Sequence, residues 1–148
     1  MHDRFKFRAW NKLSNEMKDV ISLNINHSFP DCSNVILETN TFDNIKTHNN
    51  PITCANSLEN VVLMQCTGLK DKNGKLIYEW DIVKFKKNNP VGILKGVIQN
   101  HTCYFSLDFM ELGKYGESGC SLTKNTTDYI QLEVIGNIYE NKKLLEVN

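Results

Sequence analysis

Three short segments of the chain hold side chains that could do chemistry. Asp71-Lys72-Asn73-Gly74-Lys75 opens like a calcium loop, in which carboxylate and amide oxygens at alternate positions surround the ion. The required glycine comes too early, however, a lysine occupies the third ligand position, and no flanking helices are predicted. A hairpin turn is the reading that fits. Gly116-Glu117-Ser118-Gly119-Cys120 is one residue short of the G-x-S-x-G nucleophile elbow and lies outside any strand-to-helix context, so it reads as a flexible turn. Cys103 follows His101 by two residues, the elements of an acyl-transfer pair. In a strand, Cys103 would share an inward face with Phe105 and Leu107, which favours a buried structural thiol. His2, His27 and His48 are isolated, and Cys32, Cys54, Cys66, Cys103 and Cys120 include no C-x-x-C pair. No catalytic residue, metal site or cofactor is predicted, and the chain is expected not to be an enzyme.

Three further groups could form surfaces. Arg4, Lys6, Arg8 and Trp10 alternate with Phe5, Phe7 and Ala9, so in a strand the basic residues and the indole share a face. Such a row could hold phosphate and stack a base, although a solvated outer face is the simpler account. Lys84, Lys86, Lys87 and Lys95 make a second basic patch if their strands pair, and charged edges that block aggregation would explain it equally. Tyr78, Glu79, Trp80 and Asp81 form a corner that suits a protein partner or a turn anchored by side-chain hydrogen bonds.

The elements that must carry these residues are mostly strands. After the strand Arg4–Trp10, polar Asn11–Asn15 turns the chain into a second strand over Met17–Ile25. Residues 26–60 are Asn-rich, broken by Pro30 and Pro51, and hold one or two short strands, one over Val35–Phe42. Val61–Cys66 is an apolar strand, Thr67–Lys75 a turn built around Asn73-Gly74, and Leu76–Tyr78 its return. Asp81–Phe85, Gly92–Gln99, Thr102–Leu107 and Leu132–Tyr139 follow as strands, with Leu112–Thr127 as a separator. Asn141 is placed to cap a short final helix, Lys142–Glu146. Short strands at regular spacing point to a small barrel or sandwich, all β or α+β, and no repeat or linker divides the 148 residues, so one domain over 1–148 is expected.

A chain of this length can bury roughly 68–70% of its unfolded surface, enough for a core without metal or disulfide. Seventeen basic side chains balance seventeen acidic ones, so no net field draws the protein to nucleic acid or an anionic membrane. That makes nucleic acid the less favoured partner. An odd number of scattered cysteines, no apolar stretch of signal-peptide length and none of membrane-span length place the chain in the cytoplasm.

Three segments then resemble one family. Phe5–Trp10 with Lys12 and Met17 is similar to the opening of the YopX-like proteins of phages and prophages in low-GC Gram-positive bacteria. Leu63–Gln65, Thr67–Lys75, Ile77–Glu79 and Asp81–Val83 resemble the family's central signature. Glu133–Asn141 with Leu144 and Leu145 resembles its ending. The family usually has an aromatic where Cys66 stands and a glycine where Trp80 stands. A glycine there implies a positive-φ turn, so Trp80 implies either altered backbone geometry or an added exposed anchor. The resemblance implies an SH3-like barrel core with long loops and self-association, and it implies no activity. The expected function is that of a non-enzymatic phage or prophage accessory protein binding a host or phage protein. The alternative is a single-stranded nucleic-acid or nucleotide-binding module using the first-strand face.

Overall fold

The computed structural model describes residues 6–24, 34–37, 55–86, 93–111 and 114–146. The fold is mostly β, in antiparallel sheets. It divides into two compact units, Phe7–Met64 on one side and Gln65–Asn148 with Met1–Lys6 on the other. Among the described residues no helix is long and apolar enough to cross a membrane.

The unit Phe7–Met64 holds β1 (Phe7–Asn11), β2 (Glu16–Asn24), β3 (Asn34–Leu37), β4 (Ala55–Ser57) and the start of β5 (Val61–Lys70), hydrogen-bonded in the order β4-β3-β2-β1-β5. Asn11 closes the β1–β2 hairpin, its Oδ1 accepting from the backbone N–H of Leu13 (2.9 Å) and of Ser14 (3.3 Å). Asn15 supplies the left-handed step at φ 55°, which Asn tolerates better than most residues. Ala9 and Val61 form a small core, with Val20, Leu23, Leu58 and Leu63 packed on it.

In the other unit the second half of β5 pairs with β6 (Leu76–Tyr78). A five-stranded sheet follows in the order β10-β9-β8-β7-β11, from β7 (Asp81–Lys86), β8 (Ile93–Asn100), β9 (Phe105–Glu111), β10 (Lys114–Ser121) and β11 (Glu133–Asn137). Ile77, Val83, Phe85, Ile98, Phe105, Leu107, Leu122, Leu132 and Val134 make one buried cluster. Burying a side chain of this kind contributes about 1.5–3 kcal/mol, so this cluster dominates the unit's stability.

Several expectations need correction. The strand expected from Arg4 begins at Phe7, and Arg4 and Phe5 lie outside the described residues. Thr67–Lys70 extends β5 instead of turning, accommodated by a register shift between Cys66 and Lys70, and the turn is confined to Asp71–Lys75. The strand expected over Val35–Phe42 is met by β3 over Val35–Leu37, and residues 38–42 lie outside the described residues.

The stretch taken as a separator contains β10. Gly116–Cys120 is therefore strand and not a flexible turn. Its Gly119 serves close approach, since a Cβ there would come within 2.7 Å of the Leu107 carbonyl oxygen. A six-residue helix, α1 (Lys124–Tyr129), begins in the same stretch, and its Thr123 N-cap accepts from the Thr126 N–H at 3.1 Å. Lys142–Leu145 is a 3-10 turn and not an α-helix. Asn141 caps nothing there with its side chain, because its Oδ1 accepts from the Asn137 N–H at 3.1 Å.

Candidate interaction surface

The corner between β6 and β7 is made of two linking residues, Glu79 and Trp80, held on every side by backbone bonds. The Glu79 N–H donates to the Gln65 carbonyl (3.0 Å), the Trp80 N–H to the Ile98 carbonyl (2.8 Å), and the Ile138 N–H to the Trp80 carbonyl (3.1 Å). Asp81 closes the turn from inside, its Oδ2 accepting from the Tyr78 N–H at 2.8 Å. Asp81 is fully buried, so it anchors the corner and is not part of an exposed surface, as the sequence reading had allowed.

Trp80 sits at φ 63°. Trp80 therefore occupies the left-handed region that glycine favours, at a cost of about 1–2 kcal/mol. Trp80 is half-buried, as are Tyr78 and Glu79. Desolvation raises the Glu79 carboxyl above the ordinary carboxylate range, partly offset by the Gln65 N–H that its Oε2 accepts at 3.5 Å. Tyr139, next to Ile138, is raised first by its own burial and then by the nearby Glu79 charge. Tyr139 therefore belongs to this corner, which its place sixty residues downstream concealed.

The first-strand row does not assemble as expected. Lys6 is exposed and precedes β1, falling in a different unit from Arg8 and Trp10. Arg8 is buried, with 9% of its surface exposed, and its Nε donates to the Met64 Sδ at 3.4 Å. Its aliphatic stem can lie along apolar surface, which period-two reasoning does not anticipate. Trp10 is half-buried. The second basic patch does assemble: β7 and β8 pair with Lys84 opposite Lys95, while Lys87 lies outside the described residues.

Cys103 is exposed, not buried. His101 and Tyr104 exchange backbone bonds of 2.8 and 3.3 Å, which makes residues 101–104 the tip of the β8–β9 hairpin and starts the strand at Phe105. Cys66 is buried, Cys120 packs partly against the large core, and Cys32 and Cys54 lie outside the described residues.

The same hairpin brings together His101, Ser106 and Asp108, a trio that sequence spacing did not single out. The Ser106 hydroxyl donates to Asp108 Oδ1 at 2.7 Å, and His101 Nε2 lies 2.9 Å from Ser106 Oγ. With the serine proton committed to the carboxylate, Nε2 is the donor. The imidazole therefore cannot take the serine proton from this side, which is the reverse of the nucleophile-and-base order. The aromatic ring of Tyr104 stacks on His101, with centroids 4.8 Å apart. Asp71, the first residue of the calcium-loop look-alike, is likewise a structural anchor. Its Oδ1 accepts from the N–H groups of Asn73 (2.8 Å) and Lys75 (2.9 Å), and its Oδ2 from that of Val134 (3.1 Å). Among the described residues no group of three or more potential metal ligands converges.

A family model described as YopX protein matches residues 6–146. Among solved structures, protein EF1440 from Enterococcus faecalis is similar with a TM-score of 0.66 and 27% identity, covering 95% of this chain and 97% of that one. Protein yopX from Bacillus subtilis is similar with a TM-score of 0.59 and 22% identity over 97% of this chain and 99% of that one, a likeness of fold. No curated protein matches the chain.

Proposed function

The chain belongs to the YopX protein family, and on that premise we propose that it is a non-enzymatic protein-binding module, a phage or prophage accessory protein acting on a host or phage protein in the cytoplasm. The contact is made by Tyr78, Glu79 and Trp80. What supports this reading is one observation: a tryptophan occupies a left-handed backbone position, half-buried, on a corner whose backbone is tied to three other segments. A rigid aromatic anchor loses little conformational entropy on binding, and tryptophan is among the residue types that dominate interface energetics.

The test is a comparison of wild type with Trp80→Gly. Glycine adopts φ 63° without strain, so the relief of about 1–2 kcal/mol works against the lost ring burial and the variant is expected to stay folded. Tagged proteins are incubated with nuclease-treated host lysate, and bound proteins are quantified by mass spectrometry. A stoichiometric partner retained by wild type and lost by a folded Trp80→Gly supports the corner. An identical partner set on both proteins overturns it. Size-exclusion chromatography with light scattering, on the same two proteins, tests self-association through the same corner.

A further inference from the structure

Lys84 pairs with Glu133 and Lys95 with the Leu144 carbonyl, yet neither contact requires two lysines to face one another across the β7–β8 pair. Lys84 and Lys95 are direct cross-strand partners. Like charges opposite one another on a sheet face are destabilising. Edge protection does not explain them, because β7 and β8 are interior strands, covered by β11 and β9. Lys86 lies two residues beyond Lys84 on the same face and is exposed, about 7 Å further along the strand.

The surroundings add positive charge. Glu133, opposite Lys84 on β11, is paired to this row, and it is shared. Lys84 Nζ lies 3.0 Å from its Oε1, and Lys72 reaches its Oε2 from the Asp71–Lys75 turn. These two ammonium groups hold the Glu133 carboxyl below the ordinary carboxylate range. Lys95 Nζ donates to the Leu144 carbonyl at 3.2 Å, which brings the Lys142–Leu145 turn, with exposed Lys142 and Lys143, to the same region. Asp108, on β9 opposite Val97, accepts the neutral Ser106 hydroxyl and keeps its charge, so it is a second carboxylate beside the row. In a chain whose charges sum to zero, lysines are concentrated here.

We propose that the lysine-bearing end of the β7–β8 pair, beyond the fully buried Ile82 and Val97 of the same face, binds the phosphate backbone of a single-stranded nucleic acid, without sequence preference, through Lys84, Lys86 and Lys95 with Lys72, Lys142 and Lys143. The two-residue rise along a strand approximates the phosphate repeat of an extended single strand, which a row of ammonium groups can follow. Lysine meets phosphate as a point charge, so the contact is electrostatic and salt-sensitive. This face is independent of the Tyr78–Trp80 corner.

The experiment uses the purified full chain and a fluorescein-labelled 20-nucleotide oligodeoxythymidine, with anisotropy read across a salt series. Wild type is expected to bind with log K falling linearly in log salt, by roughly 0.7 per phosphate neutralised. Lys84→Gln with Lys95→Gln is expected to weaken binding about tenfold or more and to flatten the salt slope. Lys142→Gln with Lys143→Gln, on an exposed turn that puts no core at risk, should weaken it several-fold. Glu133→Gln is the discriminating variant. It releases two ammonium groups, so it should tighten binding even as it loosens the fold, whereas a merely structural ion pair predicts no gain. Trp80→Gly should bind as wild type does. Absence of wild-type binding at low salt, binding indifferent to salt, or unchanged affinity in both lysine pairs overturns the proposal. So does a chain that binds inorganic polyphosphate and not the oligonucleotide.

Discussion

The unit that begins at Gln65 buries nine apolar side chains in one cluster, whereas the unit Phe7–Met64 buries Ala9 and Val61 in its own, among the described residues. The two also differ in how they use buried polar groups. In the larger core Asp71 and Asp81 accept backbone N–H groups and tie turns to strands, so that a carboxylate does the work of several local hydrogen bonds. In the smaller one the buried polar side chain is Arg8, lying against Met64, while the hairpin is closed by the partly exposed Asn11. A corner that presents a strained tryptophan belongs in the first setting. Strain of about 1–2 kcal/mol is tolerated where the surrounding structure over-determines the backbone.

The largest expected effect tests whether the cores differ as their contents indicate. Leu107→Ala, in the middle of the nine-residue cluster, should cost roughly 2–5 kcal/mol, and Val61→Ala, which deletes less and sits in a thinner core, roughly 1–2 kcal/mol. Urea unfolding measures both, and hydrogen exchange reports where protection is lost. Leu107→Ala is expected to raise exchange in β7, β8 and β9 more than in β1 and β2. Equal loss in all of them would show that the smaller core has no separate stability and would break the comparison.

Asp71 comes next. Replacement by Ala removes the acceptor of three backbone N–H groups, one of them Val134 across sixty-three residues, and should cost roughly 2–3 kcal/mol by the usual worth of hydrogen bonds to a charged group. Asp71→Asn keeps one oxygen and should recover part of that. Thermal melting of the three proteins ranks them, and a calcium titration of wild type gives a direct contrast: the turn account expects no shift in melting temperature with calcium. A neutral Asp71→Ala would mean that water replaces the carboxylate and that the turn is not an anchor.

These anchors show where sequence reasoning works and where it stops. Apolar patterning and turn residues located β2, β6, β7 and β8 closely and the start of β5, because which residues are apolar is decided by the core itself. It failed at Gly116–Cys120, since a glycine read for turn freedom was needed for close packing on β9, and at Lys124–Tyr129, whose Asn and Thr residues are weak helix formers and whose one signal was the Thr123 cap. Cys103 was misplaced for a related reason: two backbone bonds at the hairpin tip, invisible in composition, move the strand start to Phe105. Of the candidate surface, Glu79 and Trp80 were legible from local sequence. Asp81 was legible as a turn anchor, through the nearby Tyr78 N–H, but not as a fully buried residue, and the burial of Arg8 was not legible because its partner Met64 is distant in the chain. The basic row on β7 and β8 was legible only up to the condition that the strands pair, and pairing alone removed the edge-protection account.

The smallest effect concerns Glu79, the half-buried carboxylate of the corner. Its pKa is raised in the folded protein, chiefly by desolvation, so the folded state holds the proton more tightly than the unfolded chain does. Where the native state binds more protons, stability falls as pH rises. The Glu79 contribution is therefore fully present below the unfolded carboxylate value of about 4.3 and is lost as pH rises through the higher folded value. Glu79→Gln has no proton to lose there. Its stability should match that of wild type near pH 4 and exceed it increasingly towards pH 7, measured by urea unfolding at each pH. A difference that runs the other way would mean that the ionised carboxylate is held by stronger partners than the long bond from Gln65. Glu79 would then join Asp71 and Asp81 as an anchor of the corner and would leave partner recognition to Tyr78 and Trp80.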